Sequence, residues 1–228
     1  MIISHKHKFI FLRTQKTAGT SVASALRALC GPHDIITPES EEEELNAAIP
    51  AQHYEYDPKV LSRDWLYWVW VKRKTSSEKR NYYTHIPGWR VRLRVGEKIW
   101  NDYFKFCFER NPWDREVSLF YFRRGRPRFA DSFADHLAAL PGRRMRNWEI
   151  YTQKQRPAVE FVGRSDTLAT DLKRALQECG IDWTGELPRA KGKFRTDERH
   201  YREFYDDQSR DLIARTYRRE IEQFGYEF

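Results

Sequence analysis

"HKFIFLRTQKTAGTSVASALRAL", residues 7 to 29, changes character twice. Its first third, "HKFIFLR", is short, apolar and rich in β-branched and aromatic side chains, the composition of a buried strand. From Thr20 to Leu29 the apolar positions Val22, Ala25, Leu26 and Leu29 recur at helical spacing. Between strand and helix lies "TQKTAGTS", small, hydroxylated and carrying one lysine at its turn. Such a loop directs several backbone N–H groups at one point, where the helix dipole adds positive potential, so that point favours an anion. Lys16 supplies a mobile charge, Gly19 permits close backbone approach, and Thr17, Thr20 and Ser21 offer hydroxyl donors; with Ala18 they make a candidate phosphate-binding loop.

The strand, turn and helix unit returns twice. "YFKFCFE", 103 to 109, stops at "RNPW", where Pro112 suits the first turn of a helix running through Val117, Leu119 and Tyr121. "AVEFVGR", 158 to 164, is followed by Ser165 as an N-cap and by Leu168, Leu172, Ala175 and Leu176 on one helical face. Repetition of this unit predicts an α/β fold, a P-loop-like parallel β-sheet flanked by helices. No linker divides the chain, so residues 1–228 are expected to form a single domain. The closing "SRDLIARTYRREIEQFGYEF" predicts a last amphipathic helix packed on that sheet through Leu212, Ile213, Tyr217 and Ile221. Two stretches say less. "GPHDIITPESEEEE", 31 to 44, reads as a solvated loop or helix start. "WLYWVWV", 65 to 71, is too short for its period to separate strand from helix; it suits core packing or an aromatic wall for a flat acceptor.

With 40% apolar and 15% aromatic residues in 228, the chain can build a core despite its 32% charged residues. The net charge of +8, 41 basic against 33 acidic residues, favours an anionic partner. Cys30, Cys107 and Cys179 are odd in number, far apart and without metal spacing, which suits buried thiols in a reducing, cytoplasmic compartment. The first residues show neither a signal-peptide core nor a span of about 20 apolar residues, so no targeting or membrane segment is expected.

The Walker A pattern places a Gly four residues before Gly-Lys-Ser/Thr, whereas here Lys16 precedes Gly19, which counts against an ordinary ATPase or kinase. "QKTAGTS" instead resembles the 5′-phosphosulfate loop of sulfotransferases that use 3′-phosphoadenosine 5′-phosphosulfate (PAPS). "FERNPWDREVSLFY" resembles the 3′-phosphate element of that family, a strand ending in Arg and a helix bearing Ser eight residues on, which implies Arg110 and Ser118. Elementary chemistry agrees, since Arg at a strand end can grip a phosphate bidentately and Ser118, two helical turns along, can reach the same group. "NPWDR", "FVGRSDTLATDL" and "FYDDQSRDLIARTYRREIEQFGYEF" are similar to the subfamily of 2-O-sulfotransferases and small bacterial carbohydrate sulfotransferases. The resemblance covers nearly the whole chain except residues 37 to 80. "RAKGKFR", 189 to 195, looks like the basic Gly-containing segment with which the family closes over PAPS, implying Lys193 and Arg195.

Transfer of a sulfuryl group to an alcohol needs a base near neutrality, and imidazole is the side chain best suited. Of the seven histidines, His5 and His7 sit at a basic terminus, His33 and His53 in Pro-flanked loops, His136 in a helix and His200 in a charged surface stretch. His85, in "NYYTHIPGW", stands where a strand or turn ends, and the resemblance gives it the part of base. The implied reaction is a metal-independent in-line displacement, with Lys16 stabilising the oxygen that leaves on 3′-phosphoadenosine 5′-phosphate (PAP). Two other classes stay open: a P-loop kinase or NTPase drawing a Mg²⁺ ligand from Asp114 or Asp166, and a non-catalytic anion-binding module. The chain shows no nucleic-acid motif and no basic run of five or more, so no nucleic acid is expected as partner. Trp and Tyr concentrated between 54 and 89 favour a carbohydrate or another flat, hydroxylated acceptor.

Overall fold

The chain's apolar strands assemble into one mixed sheet. The computed structural model describes residues 1–55, 57–71, 80–126, 129–140, 146–187, 197 and 199–228. Its strands are β1 (Ile2–Ser4), β2 (Phe9–Phe11), β3 (Ile35–Ile36), β4 (Phe104–Glu109), β5 (Thr152–Gln153), β6 (Arg156–Pro157) and β7 (Phe161–Arg164). The main sheet has the order β3-β1-β2-β4-β7, and β5 and β6 form a separate hairpin. Strands β2, β4 and β7 are parallel, with Phe9 opposite Phe104 and Phe106 opposite Phe161, as the repeated units require. The other edge is antiparallel, because only residues 5 to 8 separate β1 from β2 and a parallel crossover needs a dozen residues or more.

Helix α1 (Gly19–Arg27) follows β2. Between β3 and β4 come α2 (Glu41–Leu45), α3 (Pro58–Leu61), α4 (Trp65–Val71), α5 (Gly88–Val95) and α6 (Glu97–Asp102). Then α7 (Pro112–Arg123), α8 (Phe133–Ala138) and α9 (Asn147–Tyr151) follow β4, and α10 (Leu168–Gln177) follows β7. Near the end lie a 3-10 turn (Tyr201–Phe204), α11 (Asp207–Thr216) and α12 (Arg218–Phe224).

Alternation along β2 and β4 divides the core into two layers. Phe9, Phe11, Phe106 and Phe108 pack with Val22 and Leu26 of α1 and Leu172 and Leu176 of α10. On the opposite face Ile10, Leu12 and Cys107 meet Val91, Trp100, Trp148 and Tyr151. Full burial of such side chains is worth about 1.5–3 kcal/mol each. Gly163 on β7 makes one close approach possible, since a Cβ there would stand 2.5 Å from the Phe108 ring.

Several local expectations change. Ser165 does not cap the third helix: its N–H donates to the Glu109 carbonyl at 2.9 Å, which prolongs the β4–β7 pairing, and α10 starts at Leu168 with Thr167 in the cap position. The tail is two helices broken at Tyr217, not one; the first packs on α7 and α8 through Ile213 and Tyr217 against Trp113 and Leu137, and the second reaches the core on one face of the sheet through Phe224. At the break the Tyr217 hydroxyl donates to Glu116 Oε1 at 2.6 Å, a buried bond. "WLYWVWV" is helical, as α4, and the acidic run provides β3 and then α2, started by a Ser40–Glu43 capping box. All three cysteines are free thiols; Cys30 and Cys107 are buried, Cys179 half-buried. Among the described residues no helix is long and apolar enough to cross a membrane.

Candidate active site

The loop after β2 folds over the C-terminal ends of β2 and β4. Leu12 N–H still bonds the Phe106 carbonyl at 2.9 Å, and beyond it Lys16 and Ala18 both take φ of 59°. A left-handed residue other than Gly costs about 1–2 kcal/mol, so two within three residues store strain at this turn. Thr17 between them is not at positive φ, so the backbone alternates in hand along the loop, the pattern from which anion nests are built. The strained shape is held from below. The Thr14 hydroxyl donates to the Phe108 carbonyl, leaving Thr17 to donate to Thr14 Oγ1 at 2.8 Å. Asn147, at the start of α9, grips Gln15 twice: its Oδ1 accepts from Gln15 N at 2.7 Å and its Nδ2 donates to Gln15 O at 3.0 Å.

Gly19 has a second use beyond close backbone approach. A Cβ there would lie 2.9 Å from Arg13 Cγ and Nε, and Arg13 is itself buried. Arg13 donates to Thr20 Oγ1 at 2.6 Å and forms an ion pair with Glu39. Burial pushes its guanidinium down to about 10. The Thr20 hydroxyl, accepting from Arg13, keeps its own proton to donate.

Arg110 follows β4 directly. Its Nε donates to Asp114 Oδ2 at 2.7 Å and its Nη1 to the Lys16 carbonyl at 3.3 Å, which brings the two proposed phosphate elements together. Asp114, Ser118 and Phe122 succeed one another at i, i+4 spacing and so share one face of α7. Lys16 Nζ lies 4.2 Å from the centroid of the Phe122 ring, and the Arg126 guanidinium is at the same distance from it. One helical face therefore carries Arg110 at its start, half-buried Ser118 in the middle, and Lys16 with Arg126 at its end.

His85 reaches this loop from the other side. Buried Tyr82 and Ile86 anchor its segment, and Pro87 caps the start of α5. Its Nδ1 lies 2.9 Å from the Arg13 carbonyl oxygen. A carbonyl can only accept, so Nδ1 carries a proton, and in the neutral form of the ring the basic nitrogen is then Nε2. Other histidines bond elsewhere: His5 to the Tyr103 hydroxyl, His53 to the Pro32 carbonyl and His136 to Glu116.

Below the loop is a buried ionic cluster with no sequence signal. Glu109 Oε1 accepts from Arg115 Nη1 at 2.7 Å, Asn147 Nδ2 at 3.1 Å and Arg110 N at 3.1 Å. Arg115 also faces Glu220 at 3.8 Å. Burial opposes the Arg115 charge, but Glu109, Tyr217 and Glu220 together outweigh it and hold the guanidinium above its ordinary range. Burial pushes the Glu220 carboxyl up to about 7.

Of the expected residues, Arg110 meets the loop at the Lys16 carbonyl and His85 meets it at the Arg13 carbonyl. Ser21 lies in the first turn of α1 and Ser118 two turns along α7, whereas Lys193 and Arg195 lie outside the described residues. Arg13, Glu109 and Asn147 carry no motif in the sequence: Arg13 and Glu109 bond near neighbours at no characteristic spacing, and Asn147 bonds Gln15 and Glu109 across 132 and 38 residues. The carboxylates a magnesium-dependent alternative would use are both engaged, Asp114 by Arg110 at 2.7 Å and Asp166 by Arg164 at 3.1 Å.

Comparison with known proteins bears on the fold and the family. An uncharacterized protein of Archaeoglobus fulgidus is 33% identical over 100 residues, 42% of this chain and 83% of that protein. The fold is similar to the crystal structure of mouse sulfotransferase SULT7A1 complexed with PAP, with a TM-score of 0.52 and 14% identity over 97% of this chain and 91% of that one. Residues 1–227 match the model of the Sulfotransferase family, and the chain belongs to that family.

Proposed function

We propose that the chain transfers the sulfuryl group of PAPS to a hydroxyl of a carbohydrate or similar acceptor, without a metal. The residues present fit such a donor: a strained nest of backbone N–H groups beside Lys16 suits the 5′-phosphosulfate, and Arg110 with Ser118 suits the 3′-phosphate. PAPS supplies an activated sulfuryl group and leaves as PAP. Lys16 stabilises negative charge that develops beside the loop, and the hydroxyls of Thr20 and Ser21 orient the group that bears it. His85 accepts the acceptor's hydroxyl proton at Nε2, while the Arg13 carbonyl steadies the opposite edge of the ring. That hydrogen bond is the observation that carries the reading, because it sets an imidazole against the anion loop in the basic tautomer.

A sugar acceptor is supported by Trp89, a half-buried ring close to His85 in sequence with the Arg90 guanidinium 4.7 Å from it. Tyr67, by contrast, is buried and stacks on Tyr83 at 6.1 Å within the core. The free thiols suit a reducing compartment such as the cytoplasm. A screen of hydroxylated acceptors with labelled PAPS tests the reading. Label passing to a sugar hydroxyl without added metal, with release of PAP, is the expected result. Phosphate transfer from ATP with no transfer from PAPS overturns it.

A further inference from the structure

A buried carboxylate directly below an anion site is electrostatically unfavourable, so the presence of Glu109 there needs a reason. It is fully buried, and its charge is balanced by Arg115 at 2.7 Å. An apolar residue at the end of β4 would need no such counterion. What Glu109 adds is reach in two directions from one oxygen. Oε1 receives the backbone N–H of Arg110, the residue proposed to grip the 3′-phosphate, and the amide of Asn147, which clamps Gln15 at both its N–H and its carbonyl. Gln15 is the neighbour of Lys16, the first left-handed residue of the loop. The two halves of the cofactor site therefore hang from a single carboxylate oxygen.

We infer that Glu109 is a positioning residue that sets the phosphate loop, through Asn147, and the Arg110 arm, through its backbone, in one register. The inference rests on the PAPS reading above. It touches no donor atom; it acts by holding the left-handed turn in a shape that the loop alone does not favour.

The two physical effects of Glu109→Gln have opposite signs, which makes it a sharp test. If Glu109 mattered only by its charge, neutralising it would strengthen binding of an anion. If it positions, exchanging charge-assisted bonds for neutral ones loosens both halves, and PAP affinity falls by about tenfold. The loss is expected for PAP and for adenosine 5′-phosphosulfate alike, unlike Arg110→Ala, which is expected to weaken PAP alone. Asn147→Ala, which leaves the Glu109 contacts to Arg115 and Arg110 intact, is expected to weaken PAP binding by the part of the loss carried through the loop. The double variant is expected to be little worse than Glu109→Gln alone, because along the loop arm the two residues act in series. Titration calorimetry on folded protein gives the affinities, and thermal unfolding checks each variant. Unchanged or tighter PAP binding by Glu109→Gln overturns the inference; should that variant not fold, unchanged binding by Asn147→Ala overturns it. Wild-type protein that binds no PAP is a separate result and sinks the cofactor reading itself.

Discussion

The ends of β2 and β4 and the stretch from residue 37 to 83 are built by opposite rules. At the strand ends polar groups are buried and tied to one another: Thr17 to Thr14, Arg115 to Glu109, Gln15 to Asn147. In the other region α2, α3 and α4 span only four to seven residues, and Leu45, Trp65 and Leu66 are 82%, 66% and 58% exposed. Helices that short gain little stability of their own and cannot turn a full apolar face inward. The difference teaches where the chain spends its burial. At the strand ends it goes to holding strained backbone and paired charges, and among the described residues of the other region it falls on side chains such as Leu61, Asp64 and Tyr67 while Leu45, Trp65 and Leu66 stay exposed.

His85 stands at the seam between the two regions, so its removal gives the largest expected effect. His85→Ala is expected to lower turnover by about a hundredfold to ten-thousandfold while PAP affinity changes little. Steady-state kinetics with the true acceptor, paired with PAP titration, checks it; retained turnover assigns the base elsewhere. Lys16→Ala comes next, with turnover expected to fall by about a hundredfold to a thousandfold and substrate affinity by much less. A loss confined to KM would mean that Lys16 binds ground state and transition state equally. Arg110→Ala is expected to weaken PAP by roughly tenfold to a hundredfold and adenosine 5′-phosphosulfate only slightly. Equal losses for the two ligands would remove Arg110 from the 3′-phosphate.

Smaller effects test the contrast in burial. Glu220 is folded with its carboxyl near 7, above the ordinary value of 4.5, so the native state binds the extra proton between these limits. Stability is therefore lost as pH rises from about 4.5 to about 7. Glu220→Gln removes that penalty, which is at most about 3 kcal/mol, and is expected to raise Tm by several degrees at pH 8 but not at pH 4. A Tm difference independent of pH would show that the Glu220 titration is not coupled to folding. Leu45→Ser, on the exposed side of the comparison, is expected to change stability by no more than about 0.5 kcal/mol in a denaturant melt. A larger loss would mean that Leu45 is covered in solution.

Legibility in the sequence follows the same division. The β2 strand, loop and α1 could be read because apolar period changes at a cluster of small residues, and α7 because Pro112 marks its first turn. The tail's break at Tyr217 is hidden in the sequence, since the helical period runs through it, whereas in the fold Tyr217 is buried with its hydroxyl bonded to Glu116. The parallel strands were expected but the antiparallel edge was not, because β1 is three residues long. In the proposed site, Lys16 stands out by its loop, Arg110 and Ser118 come from the resemblance with their chemistry in agreement, and His85 from the resemblance and the settings of the other histidines. Arg13, Glu109 and Asn147 have no local pattern: each does its work through side-chain contacts that only tertiary structure brings together.

The Gln15–Asn147 clamp spans 132 residues of chain. A contact of that separation forms only once most of the intervening chain has collapsed, because the entropy of closing so long a loop must be met first. The left-handed turn at Lys16 and Ala18 is thus among the last features that folding completes. On an emerging polypeptide β2 and α1 are synthesised early, yet the anion nest between them stays unset until α9 has left the ribosome. On the proposed reading, competence to hold a nucleotide is expected to arrive together with the finished topology, and a chain truncated before Asn147 would carry the loop's sequence without the Gln15 clamp.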